Sequence, residues 1–231
     1  MMKKHLQKGL ILGMIFLAGN AFGQMEGTRS DKIKNDRVTR TYLDFLLNAV
    51  STNVNYGKSN GSLADYKKST IGAQIGASFQ AGITPTVSLV SELYFIMKGG
   101  QLNANNPLTT SKTTLRFYAL ELPVLARFNI GRFYANAGPS IAYNFYGTRK
   151  MEGSTTAISF KNSNAAFKRI DAGIQMGAGY RFNVKQKSVV LDVRCTYGLS
   201  NISNDQEMYN RYLNISLHFS KPWKTNPLEK K

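Results

Sequence analysis

The chain has 231 residues, of which 42% are hydrophobic and 19% charged, with a formal net charge of +17 and one cysteine. A single thiol, Cys195, excludes an internal disulfide, so an exported form must be stable without one. After residue 24 no run of about 18 apolar residues occurs, which excludes a helical membrane protein. It does not exclude a β-barrel, whose alternating spans average out to a mean hydropathy such as the −0.27 found here.

Residues 1–23 have the form of a secretory signal peptide. Lys3, Lys4 and Lys8 open the segment, residues 10–18 are apolar, and Ala21 and Gly23 place small side chains where a signal peptidase reads. Cleavage is expected before Gln24. Removing the three lysines leaves a charge of +14. An excess of this size can mark a nucleic-acid binder. Here the cations fall mainly in presumed turns and tails, including Lys58, Lys67, Lys68, Arg149, Lys150, Lys161, Lys168 and the 221–231 segment. That distribution suits rims facing anionic lipid or lipopolysaccharide, and nucleic acid is not expected as a partner.

Residues 24–41 are polar and aperiodic, a flexible lead on the periplasmic side. The first strand is expected at 42–55, but its parity is open. Leu43, Phe45 and Leu47 compete with Leu46, Val50 and Val54. Residues 56–69 (YGKSNGSLADYKKS) are rich in turn formers and form a loop. In the second strand, 70–83, Ile71, Ala73, Ile75, Ala77 and Phe79 alternate with Gly72, Gln74, Gly76, Ser78 and Gln80. A tight turn at Thr84-Pro85 leads to the third, 86–98, where Leu89, Leu93, Phe95 and Met97 alternate with Ser88, Glu92, Tyr94 and Lys98.

A polar loop over 99–113 precedes the clearest stretch, 115–146 (LRFYALELPVLARFNIGRFYANAGPSIAYNFY). It contains two strands joined by a short turn around 129–132. Tyr118, Leu120, Leu122, Val124 and Phe128 share one parity, with Glu121 and Arg127 on the other. Phe133, Ala135, Ala137, Ile141, Tyr143 and Phe145 then alternate with Tyr134, Asn136, Gly138, Ser140 and Asn144. Period-2 alternation over so many residues marks strands with one apolar face. A transmembrane strand needs about 9–11 residues, and these are long enough.

The longest loop, 147–168, precedes a sixth strand at 169–182, in which Ile170, Ala172, Ile174, Met176 and Ala178 alternate with Asp171, Gly173, Gln175, Gly177 and Gly179. A turn over 183–188, a seventh strand at 189–199, a moderate loop at 200–208 and an eighth strand at 209–219 complete the pattern, followed by a basic periplasmic tail at 220–231. Eight strands with connections alternating between long and short predict an all-β, antiparallel, up-and-down transmembrane β-barrel. The short turns would be periplasmic and the longer loops extracellular.

A soluble barrel would alternate too, with its apolar face inward. Glycine decides between them. The polar faces of strands two and six are about half glycine, wasted on an exposed strand surface but suited to a narrow, side-chain-filled lumen. Aromatics near strand ends (Phe79, Phe95, Phe128, Phe133, Tyr180, Phe182) fit interfacial girdles. The polar-face acids Glu92, Glu121, Asp171 and Asp192 are then expected to pair inside with Lys98, Arg127, Arg181 and Arg194. This is a structural ionic plug, because unpaired buried charge is costly. No open pore is expected. Pro123 and Pro139, inside paired strands, predict local bulges.

The runs SELYFIMKGG, YALELPVLARFNIG, FYANAGPSIAYNFYG, DAGIQMGAGYRF and VVLDVRCTYGLSNI resemble the PorT-like outer-membrane β-barrel family of Bacteroidetes-type bacteria, over about residues 70–219. The resemblance implies a Gram-negative outer-membrane location, contact with outer-membrane lipid and lipopolysaccharide, and a role in type IX protein secretion alongside other secretion-system proteins. It implies no catalytic motif. By motif position Glu92, Glu121, Arg127, Asp171 and Arg194 match polar-face positions, and a lumenal structural role is all it implies for them.

An enzyme is the poorer reading. The mature chain has one histidine, His218, sharing a face with Ser216 that points to the lumen. No metal-ligand cluster, phosphate-binding glycine loop or cofactor motif is present in the sequence. The alternative to secretion is a structural or surface-recognition barrel, serving adhesion or envelope integrity, with 147–168 as its contact loop.

Overall fold

A computed structural model describes residues 42–220, apart from 162, 164–165 and 185–186. The expected signal peptide, lead and basic tail lie outside the described residues. So do the side chain of His218 and the turn at 185–186.

Eight long strands form the wall: β1 (Tyr42–Tyr56), β3 (Thr70–Gly82), β4 (Val87–Leu102), β5 (Thr113–Ile130), β6 (Phe133–Met151), β8 (Ile170–Val184), β9 (Lys187–Gly198) and β10 (Met208–Ser220). Two short ones, β2 (Lys67–Lys68) and β7 (Ser154–Ala157), hang on β4 and β6. Every wall strand pairs antiparallel with its sequence neighbours. The sheet closes through β1 and β10, from Ala49↔Ile215 to Tyr56↔Met208. Closure leaves no free edge. One rim carries the short connections 83–86 and 131–132 together with the start of β1 and the end of β10, and the other carries the four longer loops.

Which face is out follows from exposure. Phe45 is 87% exposed, Leu47 77% and Ile71 75%, and the outward positions of the other strands are likewise apolar. An apolar belt that continuous on the outside of a closed sheet has no place in water. The aromatics gather in two zones on this outer face. Near the short-turn rim Phe133 and Phe182 each pack against Tyr180 at 4.6 Å between ring centroids. Towards the loop rim Phe95, Tyr118, Phe145 and Tyr146 form a second group, with centroids 5.6–6.2 Å apart.

The first strand's parity resolves with Leu43, Phe45 and Leu47 outward and Leu46, Val50 and Val54 inward. Both faces are apolar because the lumen itself holds two hydrophobic clusters. One, with Leu46, Val50, Ile96 and Ala119, lies in mid-barrel. The other, with Val54, Leu63, Leu102, Leu115, Phe117 and Phe167, fills the loop end.

The expected proline bulges are absent. Around Pro123 and Pro139 the registers Ser91↔Val124, Pro123↔Ser140 and Ala126↔Ala137 run on without slippage, and the ladder omits bridges there instead. Each proline removes one donor, and a wall held on both sides tolerates the gap. The one register shift of that hairpin falls between Tyr118 and Ala119, which face Tyr146 and Asn144. The extra residue is Phe145. Phe145 and Tyr146 therefore both point outward, and the parity of β6 reverses beyond them.

The long loops are more ordered than turn-rich composition implies. β6 continues to Met151 and forms a hairpin with β7. Residues Lys58–Tyr66 form a 3-10 helix that buries Leu63.

Candidate functional site

The lumen is filled in tiers by side chains from all eight wall strands, because every second residue of each strand points inward. In the upper tier Lys98 of β4 donates to Asp171 Oδ2 of β8 at 2.6 Å and to Glu121 Oε2 of β5 at 3.4 Å. Asn210 Nδ2 donates to Asp171 Oδ2 at 2.8 Å, and the Ser200 hydroxyl to Asp171 Oδ1 at 3.2 Å. Glu121 Oε1 also accepts from the Tyr212 hydroxyl at 2.5 Å and from Gln175 Nε2 at 2.9 Å. The Tyr94 hydroxyl lies 3.4 Å from that of Tyr212, so two rings and a glutamine close the middle of the barrel.

In the lower tier Arg194 of β9 donates to Glu92 Oε2 at 2.6 Å, and its Nε lies 3.3 Å from Asp192 Oδ1. Ser78 donates to Glu92 Oε1 at 3.1 Å. The Tyr134 hydroxyl donates to Asp192 Oδ2 at 2.5 Å, and the Arg127 guanidinium lies 4.0 Å over the Tyr134 ring while donating to Gln80 Oε1 at 2.7 Å. Among the described residues the buried charges are four carboxylates and three cations. The tiers tie strands that are not neighbours: β4 to β8 and β9, β5 to β8 and β10.

Seven of the eight residues expected in the lumen are buried there. Arg181 is not. It stands half-buried one strand step beyond Gly179, towards the short-turn rim, and enters none of the ion pairs among the described residues; Arg127, though buried, enters none of them either and is held by Gln80 and the Tyr134 ring instead of by an acid. Parity gave its face, but height along the barrel decides whether water reaches it. Tyr94, Tyr134, Gln175, Tyr212 and Asn210 were not expected as members of the network. Their signal was available, since each shares the inward parity of a charged or polar residue two or four positions away. Pairs of this kind cross-link the strands that carry them. Beside Lys98, Asp171 and Tyr212 the enclosed space is about 10 Å³, room for one water.

The loop end is closed as well. Gly57 N donates to the Glu207 carbonyl at 2.9 Å, and Glu207 N to Asn60 Oδ1 at 3.2 Å. Lys168 N donates to the Ile202 carbonyl at 2.8 Å, and Asn204 N to the Ala166 carbonyl at 3.0 Å. These bonds hold the loops over the Phe117–Phe167 pair, whose ring centroids are 5.2 Å apart. The Ser59 hydroxyl and amide donate to Glu207 Oε2 at 2.8 and 3.2 Å and hold that carboxyl below its ordinary value. A depressed carboxylate contributes above its unfolded value and loses its contribution as pH falls through the folded one. Protease cleavage within 57–66 is therefore expected to quicken at acid pH in the wild type, and Glu207→Gln is expected to show the quicker rate already at neutral pH. Timed limited proteolysis at the two pH values checks this.

A closed eight-stranded antiparallel sheet with an apolar outside, a polar filled inside and short turns along one rim is the architecture of a small outer-membrane barrel. Residues 30–204 match the outer membrane protein β-barrel domain family, and the chain belongs to that family. Among solved structures it is similar to Neisserial surface protein A, at 13% identity over 79% of this chain and 97% of that one, with a TM-score of 0.46. It is also similar to Ail, the attachment invasion locus protein of Yersinia pestis solved with the heparin analogue sucrose octasulfate (10% identity, 80% and 99% covered, TM-score 0.42). OprG from Pseudomonas aeruginosa gives 10% identity, 83% and 97% coverage and a TM-score of 0.39. No curated protein matches the chain.

Proposed function

We propose that this outer-membrane barrel is a sealed, non-enzymatic scaffold that acts through its surfaces, and that its specific role is that of a PorT-like component of type IX protein secretion. The observation that supports the surface half is the filled lumen, in which Lys98, Glu121, Asp171, Glu92 and Arg194 occupy the space a channel or substrate would need. The secretion half rests on the resemblance of the LELP, NAGP and YGLSNI strands to that family. In this reading the chain is exported through its cleaved signal peptide and contacts lipid and lipopolysaccharide around the belt. It meets secretion-system proteins through the wall, the periplasmic turns or the tail.

Deleting the gene in its own host and comparing supernatant with periplasm by proteomics tests it. Unprocessed secreted proteins should accumulate inside the cell and be released again on complementation. An unchanged secretome with impaired adhesion or envelope integrity would replace this role with that of a surface barrel. The hydrogen-bonded loop cap favours that second reading, because recognition surfaces need loops held on a rigid frame.

A further inference from the structure

The outer wall changes character abruptly at one height. On β5 the outward series Phe128, Val124, Leu122, Leu120 and Tyr118 is apolar, and the next two outward residues are Arg116 and Thr114. On β6 the aromatics end at Tyr146 and are followed outward by Thr148 and Lys150. The registers Tyr118↔Tyr146, Arg116↔Thr148 and Thr114↔Lys150 put these changes level with each other. Arg211, 3.8 Å from the Tyr197 ring across the β9–β10 ladder, is a further cation seated on an outward aromatic. Cations seated on aromatic rings at the upper edge of an apolar belt mark the level of headgroups.

On one side this edge becomes a site. A recess of about 640 Å³ opens on the outer faces of β4, β5 and β6 beneath the β6–β7 hairpin. Lys112, Arg116 and Lys150 line it together with the hydroxyls of Thr114, Thr148 and Thr155. Its acid, Glu152, already accepts from the Ser111 hydroxyl. Arg116 and Lys150 are diagonal neighbours across the β5–β6 ladder, about 7–8 Å apart at the backbone, a spacing a phosphate can bridge. One strand step below, about 7 Å, lies the group of Phe95, Tyr118, Phe145 and Tyr146, all on the outer face. The bulge at Phe145 makes the pairing of these surfaces possible. By reversing parity it leaves two adjacent rings outward and then turns Thr148 and Lys150 outward above them.

We propose that this recess is a binding site for the phosphorylated headgroup of an acylated glycolipid in the outer leaflet. The phosphate is held by Lys112, Arg116 and Lys150, the sugar hydroxyls by the threonines, and the first carbons of the acyl chains lie on the aromatic group. Three cations against one engaged carboxylate select an anion. The apolar platform directly beneath selects an anion that carries chains, rather than a soluble one. The site is independent of whether the barrel serves secretion or surface recognition.

The test uses the full-length exported protein, purified in detergent micelles, and native mass spectrometry with two probes: bis-phosphorylated lipid A and the same lipid dephosphorylated. The wild type should retain the phosphorylated form at least about tenfold better, since each cation near such a surface contributes a several-fold factor. The triple variant Lys112→Gln, Arg116→Gln, Lys150→Gln should lose that preference while keeping the heat-modifiable mobility of a folded barrel. Lys58→Gln, Lys161→Gln, Lys168→Gln, with the same loss of charge on other loops, should keep it. Equal retention of the two lipids by the wild type overturns the site without needing any variant. So does an equal loss in the control variant, which would reduce the effect to net charge. Displacement of bound lipid A by a soluble sulfated oligosaccharide at comparable concentration would reassign the recess to a glycan and also overturn the proposal.

Discussion

Lys98→Met is expected to destabilise the folded barrel by about 3–5 kcal/mol, the usual cost of removing one partner from a buried ion pair. Lys98 faces two carboxylates, Asp171 at 2.6 Å and Glu121 at 3.4 Å, each almost wholly out of contact with solvent. Removing the cation leaves both with only neutral donors. Glu121 keeps the Tyr212 hydroxyl and Gln175, whereas Asp171 keeps Asn210 and Ser200. The triple variant Lys98→Met, Asp171→Leu, Glu121→Gln, which removes both stranded carboxylates together with the cation, is therefore expected to recover most of the loss, because neutral side chains of similar volume replace a buried ionic group at little net cost. Urea unfolding in lipid vesicles, followed by tryptophan-independent far-UV circular dichroism and by electrophoretic mobility, measures both. A single variant as stable as the wild type would mean that water reaches the pair.

Gly179→Val is expected to cost about 1–3 kcal/mol through overpacking. A Cβ at Gly179 would stand 2.2 Å from Cζ of the Tyr134 ring, which lies across the glycine from the neighbouring strand. The ring cannot withdraw cheaply. Its hydroxyl is bonded to Asp192 at 2.5 Å, and the Arg127 guanidinium covers it at 4.0 Å. The cost should shrink in a Tyr134→Ala background, where the space is free, so the two substitutions are expected to be strongly non-additive. Additive losses in the same unfolding assay would show that the ring and the glycine are not coupled. Gly99 is constrained differently. Its φ of +149 and the hydrogen bonds of 2.9 and 3.0 Å that its carbonyl and amide make with the Thr52 hydroxyl leave β1 and β4 in direct contact near the loop rim.

The barrel was legible in the sequence because its two determinants are local. Alternation at period two sets each strand's faces, and the lengths of the connections set its topology. The inward charges were legible for the same reason. What alternation does not carry is height along the axis and the content of the lumen. Arg181 has the parity of Asp171 but lies where water reaches it. Leu46, Val50 and Val54 made the first strand ambiguous because the lumen contains hydrophobic clusters, so an apolar residue can face either way. The bulge fell at Phe145 and not at a proline. A missing donor only skips a bridge, whereas the recess above Tyr146 needs the parity of β6 reversed. The joining of Tyr94, Tyr212 and Gln175 with Glu121 depends on four strands meeting across the lumen, information that no single strand holds.

The proposed function requires a lumen sealed by side chains. Recording current from the purified protein in a planar bilayer tests it most directly. The prediction is a conductance that stays at the level of the bare bilayer, with no resolved steps, while the same preparation is confirmed as folded by its mobility. Stable, reproducible single-channel steps from the wild type would contradict it, because ions would then be crossing a space that Glu121, Gln175, Tyr94 and Tyr212 are said to fill.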